Sequence, residues 1–124
     1  MPEVLNAADI SLLDRARSII ALRQRQYWHH IGCAMRTRSG AVFAAVHLEA
    51  YVGRVAVCAE AIAVGMAAAA GDTDIAVIVA PCGICRELIS DYAPDAEVIV
   101  PGAEGPERVR IGTLLPNKYT RTTP

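Results

Sequence analysis

The 124-residue chain has few aromatic side chains, one Trp, one Phe and four Tyr, and no stretch interleaves them with a run of Lys or Arg. It has no excess of charge of either sign: 12 Lys and Arg face 13 Asp and Glu, a formal net charge of −1. A polynucleotide partner is therefore not expected, because that affinity rests on neutralising phosphates. No segment reads as a signal peptide or a membrane span, since the longest apolar stretches, 61–70 and 75–85, fall short of the ~20 residues a spanning helix needs. Repeats and low-complexity segments are missing too. What remains is expected to be a single domain over residues 1–124, cytoplasmic, with no membrane partner. Its hydrophobic fraction of 53%, carried mostly by Ala, Val and Ile, suffices for one core and leaves apolar surface for partners.

The chemistry-bearing residues are concentrated in two segments, Cys58-Ala59-Glu60 and Pro81-Cys82-Gly83-Ile84-Cys85. Three thiolates beside one carboxylate match the needs of a catalytic Zn²⁺ site: three protein ligands, a fourth position for water, and a proton shuttle that is not itself a ligand. Pro81 suits the first position of a helix, and Cys82 and Cys85, three apart, fall on one helix face where both sulfurs reach one ion. Cys58 opens a second helix. Free N–H groups and the helix dipole favour thiolates at such starts. Three thiolates leave one net negative charge around the metal, which Arg86 or helix N–H donors are candidates to offset. A lone Cys-x-x-Cys also fits a redox pair or half of a structural zinc site. Its pairing with Cys-Ala-Glu is more specific, because it reproduces the zinc-deaminase pattern with Cys in place of the first His. Cys33 lies in the apolar run 31–35 and reads as a small buried residue.

In chain order, residues 7 to about 25 read as a helix with Asn6 as N-cap, Ile10, Leu13, Arg17 and Ile20 forming one stripe beside Leu12, Ala16 and Ile19. Residues 31–37 and 41–48 form a hairpin around Arg38-Ser39-Gly40. Residues 50–54 are irregular and free to line a pocket. The segment 58–70, apolar on nearly every side, is expected as a buried helix ended by Gly71-Asp72. Residues 75–80 read as a central strand covered on both sides, 82–91 as a helix, 97–100 and 108–111 as strands, with 102–106 a turn. The order α-β-β-α-β-α-β-β implies an α/β protein, a three-layer α/β/α sandwich on a mixed five-stranded sheet. Both cysteine-bearing helices are expected to start at one edge of that sheet.

Residues 29–32, 47–54, 58–63, 81–95 and 114–120 together resemble the cytidine deaminase superfamily, and within it the bacterial blasticidin-S deaminases. The resemblance implies a zinc aminohydrolase that replaces the exocyclic amine of a cytosine ring with oxygen, commonly as a homotetramer with shared pockets. It implies Cys58, Cys82 and Cys85 as the zinc ligands and Glu60 as the proton shuttle. His47, Glu49, Ala59 and Tyr119 fall at substrate positions. Glu49 stands where nucleoside deaminases hold a sugar hydroxyl, and His47 where they have Asn. Tyr119, after Leu114-Leu115-Pro116, matches a position that reaches a neighbour's pocket. There are three departures. Ala61 stands where three-cysteine nucleoside deaminases have Arg, and His29-His30 stand where they place an aromatic for the base. Ala80 also joins Pro81 without the usual loop.

The expected activity is hydrolytic deamination of a small nucleoside-like substrate, blasticidin S first and cytidine or deoxycytidine second. A non-catalytic zinc-stabilised binding subunit is the reading from another class, and Glu60 speaks against it because a structural site needs no such carboxylate. A His47 able to carry charge, two residues from Glu49 on one strand face, suits a substrate with a carboxylated sugar and a cationic tail. His47 and Tyr119 also have plain readings, as a strand-end histidine and a tail residue.

Overall fold

A computed structural model of the chain describes residues 4–79 and 84–120. The elements run α1 (Ala7–Arg23), β1 (Gly32–Thr37), β2 (Val42–Val46), α2 (Ala59–Ala69), β3 (Ile75–Val79), α3 (Arg86–Tyr92), β4 (Glu97–Gly102) and β5 (Gly105–Arg110). Short 3-10 turns occupy Gly53–Val55 and Ile111–Leu114. The five strands form one sheet in the order β2-β1-β3-β4-β5. Only the β3–β4 pair, joined through α3, is parallel. The mixed five-stranded sheet between helices is thus borne out.

The layers follow from strand alternation. Cys33, Met35, Ile75, Ile78, Val98 and Val100 point to the side covered by α2 and α3, where they pack with Ala63, Val64, Ala67 and Ile89. Ala34, Val77, Val79 and Ile99 point to the other side, where Leu12 and Ala16 of α1 cover them. One irregularity breaks the alternation. Thr37 pairs with Ile75 and Arg36 with Val77, so Ala76 is skipped in the ladder. Both Ala76 and Val77 consequently pack on the α1 side while Ile75 and Ile78 pack on the other, as expected of a bulge.

Helix α1 begins with a capping box: the Asp9 N–H donates to Asn6 Oδ1 at 2.9 Å, and the Asn6 N–H donates to Asp9 Oδ2 at 3.1 Å. Its buried stripe is Asp9, Leu12 and Ala16, not the expected line through Ile10, which is half exposed. Asp9 is the reason. The fully buried carboxylate meets Arg108 of β5 at 3.1 Å and Arg36 of β1 at 3.7 Å, and Arg108 also reaches Glu97 at 2.9 Å. Burying a carboxylate is tolerable only with such partners, so the helix turns Asp9 inward and rotates Ile10 out.

Other boundaries also depart from expectation. α1 stops at Arg23, and β2 ends at Val46, after which Leu48 makes an isolated bridge to Val57. Helix α2 is buried on one side only, with Gly65, Met66, Ala68 and Ala69 exposed in the single chain. A uniformly apolar alanine-rich sequence cannot say which side meets its own sheet and which is left for another surface. The β4–β5 hairpin extends to Gly102–Gly105 pairing, so the expected turn 102–106 shrinks to two residues, with Gly105 at φ 120°. Helix α3 starts at Arg86, with Cys85 as its N-cap at φ −85°, ψ 1°, so Cys85 does not lie inside a first helical turn. The expected helix start at Pro81 and the Ala80–Pro81 junction lie outside the described residues.

Gly32 sets how closely α1 approaches the sheet. A Cβ there would collide with the Ala16 carbonyl oxygen and sit 3.0 Å from Ile20 Cβ. Gly32→Ala should therefore push α1 away and cost about 1–3 kcal/mol, as over-packing does. Denaturant unfolding of that variant with an unchanged midpoint would show that α1 moves freely.

Candidate active site

The path of the chain brings the two cysteine segments together. α2 runs into β3 and packs back along the sheet, so its start lies near the end of β3, and α3 starts after that same end. This is the carboxyl end of a parallel strand pair, where open α/β sheets collect their ligand sites. Cys58 is the N-cap of α2, in extended backbone at φ −65°, ψ 146°, with no capping bond from its side chain. Its sulfur is within hydrogen-bonding reach of Cys85, the N-cap of α3, and the Ala61 N–H points at the Cys85 sulfur. Cys82 lies outside the described residues. Among the described residues alone, no three Cys, His, Asp or Glu side chains form a metal cage.

Glu60, in the first turn of α2, is only 1% exposed. Its Oε2 is buried without a hydrogen-bond partner among the described residues. Burial raises its pKa, against a smaller opposing effect of its own N–H. Cys85 is pushed up to about 12, first by burial, then by the Glu60 charge and by Cys58. Cys33, buried in β1 beneath them as expected, is pushed well up by burial, then by Glu60 and Cys85. The Glu60 charge thus raises both thiols, and the cluster gathers more potential negative charge than the described residues neutralise. A divalent cation is the counter-charge such a donor set fits, and the orphaned Glu60 oxygen fits a water beside it. Arg86 Nε is likewise buried and unpartnered among the described residues.

The remaining expected residues fall in two places. His47 and Glu49 continue from β2 in a short extended segment. It is pinned by His47 N–H to the Ile31 carbonyl at 3.0 Å and by Glu49 N–H to the Trp28 carbonyl at 3.1 Å. On its other side Leu48 exchanges two 2.9 Å bonds with Val57, the residue before Cys58. That bridge carries His47 and Glu49 to the start of α2, and it closes the loop expected to be irregular. His47 Nε2 faces Glu49 Oε2 at 4.0 Å. Its Nδ1 accepts the His30 N–H at 2.9 Å. Ala59 has no exposed surface and lies under the site.

Tyr119, by contrast, is 76% exposed. It lines an outer cleft with Glu87, Ser90, Asp91, Tyr92 and Lys118, none of them in the cysteine cluster. Lys118 holds the tail there, 2.6 Å from Asp91 and 3.2 Å from Glu87, and its pKa is raised chiefly by Asp91. The contacts that hold the segment of His47 and Glu49 leave no mark on residue type, because most use backbone atoms, those of Trp28, His30 and Ile31 among them.

With the geometry in place, relatives can be compared. Residues 8–101 match the family model "Cytidine and deoxycytidylate deaminase zinc-binding region". The chain belongs to this family. Within the cytidine and deoxycytidylate deaminases, it is similar to a blasticidin-S deaminase of Bacillus cereus, 42% identical across 94% of this chain and 96% of that one. Among solved structures, cytidine deaminase from Burkholderia pseudomallei superposes with a TM-score of 0.75 at 25% identity, covering 93% of this chain and all of that one. Cytidine deaminase from Mycobacterium tuberculosis gives 0.77 at 20% identity, over 94% and 100%, and shares the fold. Membership in a zinc-binding family of deaminases accords with the donor set just described.

The raised pKa values make the metal-free enzyme sensitive to pH. Glu60 and Cys85 hold their protons more tightly folded than unfolded, so their contribution to stability is full at low pH. It is lost as pH rises, for Cys85 between the ordinary 9.0 and about 12. Chelator-treated protein should melt at progressively lower temperature as pH rises above 9.0 toward about 12, and added zinc should restore most at that alkaline end, where thiols ionise readily. Calorimetry showing a melting temperature independent of pH would contradict this coupling.

Proposed function

We propose that the chain is a zinc-dependent hydrolytic deaminase of the cytosine ring of blasticidin S or a related nucleoside. The observation that carries this reading is the Glu60 carboxyl, buried beside two cysteine-bearing helix starts with one oxygen unpartnered among the described residues. Cys58, Cys82 and Cys85 hold the metal in this reading. Zinc, when bound, supplies Lewis-acid chemistry that acidifies a water. Glu60 accepts one proton of that water as its oxygen adds to C4 and passes it to the ring nitrogen, then takes the second proton from the oxygen now on C4 and gives it to the amine, which departs as ammonia. Its raised pKa suits a group that must both take and give a proton near neutral pH. Ala59 forms the floor under the ring, and His47 and Glu49 face the sugar moiety.

The active unit in this proposal is a cytoplasmic homotetramer of a single-domain chain, with Tyr119 reaching into a neighbour's pocket. Its support is the apolar surface left uncovered around the site: Leu48, Tyr51, Val52, Val55, Met66 and Ile84 are all exposed. Tyr119 is exposed too, on a tail that Lys118 fixes in place.

Glu60→Gln should keep its fold and zinc yet lose about 10²–10⁴-fold in kcat, since the amide matches the carboxyl in size but shuttles no proton. Cys82→Ala should lose zinc, and metal analysis showing full occupancy would remove that residue from the ligand set. On substrate, blasticidin S should be deaminated with higher kcat/KM than cytidine, following the 42% identity to a blasticidin-S deaminase. Side-by-side ultraviolet assays decide it: efficient cytidine turnover with none on blasticidin S reverses the ranking.

A further inference from the structure

We infer that His30 is a positioning residue, whose peptide N–H holds His47 in the tautomer that presents an Nε2–H donor to the substrate. The His30 N–H lies 2.9 Å from His47 Nδ1. A ring nitrogen that accepts a hydrogen bond carries no proton, so the proton of His47 sits on Nε2. The ring is also held against rotation. It stacks on the His30 ring with centroids 5.3 Å apart and planes at 28°. Its own peptide is fixed at both ends, since the His47 N–H donates to the Ile31 carbonyl at 3.0 Å and His29 Nδ1–H donates to the His47 carbonyl at 3.0 Å. His30 therefore holds the ring while His29 and Ile31 hold the backbone that carries it.

The donor so fixed has an open acceptor opposite. Glu49 Oε1 accepts the Ala50 N–H at 3.0 Å, which turns Oε2 toward His47. The Nε2–Oε2 separation of 4.0 Å is too long for a direct hydrogen bond. One oxygen placed about 2.8 Å from each atom fits between them, accepting from His47 and donating to Glu49. A substrate hydroxyl, or a water through which a carboxylated sugar is held, meets both demands. The groups facing His47 are His29, His30 and Glu49, and none of them brings a fixed positive charge. This assignment rests on the deaminase reading for its substrate, but not for the tautomer.

Long-range proton–nitrogen NMR of the histidine-labelled, zinc-loaded enzyme at neutral pH tests the tautomer directly. The expected result is a His47 ring protonated on Nε2 alone. A proton on Nδ1, or on both nitrogens, overturns the assignment. Kinetics test the donor. His47→Asn keeps an acceptor close to the Nδ1 position for the His30 N–H but has no donor at the Nε2 position, whereas His47→Gln places one there. Loss of one hydrogen bond predicts KM raised about tenfold in His47→Asn, with a far smaller fall in kcat, and KM returning to within about threefold of the parent in His47→Gln. A His47→Asn variant with the parental KM would reduce His47 to a strand anchor and overturn the proposal. If the parent turns over neither blasticidin S nor cytidine, the proposed function fails, while the spectra still decide the tautomer.

Discussion

The site depends on one topological constraint: helix α2 leads into strand β3, and helix α3 leaves it, so both helices start over the same end of that strand. Two N-caps, Cys58 and Cys85, then come close enough for the Cys58 thiol to raise the pKa of the other. Helix starts carry unsatisfied N–H groups, and the Ala61 N–H aimed at the Cys85 sulfur is one of them. The fold thereby brings acidic side chains into a place already supplied with donors, and the carboxyl of Glu60 joins them two residues after Cys58. Burial makes these groups resist ionisation singly, which leaves a cation as the condition for ionising them together.

The sequence showed this much because the relevant signals are local. Asn6 and Asp9 announce the start of α1 by their own hydrogen bonds, and the apolar run Ile75–Val79 marks a strand covered on both sides. The pairing of Cys-Ala-Glu with Pro-Cys-x-x-Cys names a chemistry without any fold. What stayed hidden depends on contacts between distant segments. The inward turn of Asp9 is set by Arg36 and Arg108, 27 and 99 positions further along, and no helical periodicity contains them. The skipped pairing at Ala76 belongs to β1 as much as to β3. The tautomer of His47 is set by a backbone N–H, and every residue type except proline has one.

The rim and the floor of the site also differ in kind. The floor is made by helix starts and core strands, with Ala59, Cys33 and Glu60 all fully or almost fully buried. The rim is an extended segment wedged between residues 28–31 and Val57, and its neighbour Tyr51 projects almost wholly into solvent, touching Trp28 edge to face at 5.3 Å. Trp28 in turn carries the Arg25 guanidinium over its ring. A floor of that kind constrains reaction type, while a rim of mostly backbone contacts leaves side chains free to vary with substrate.

The ion pairs of Asp9 bear on how the enzyme is made. They tie α1 to β1 and β5 on the face of the sheet away from the cysteines, and they use no metal. The attachment of α1 to the sheet thus needs no ion, unlike in zinc fingers, where the ion and the fold arrive together.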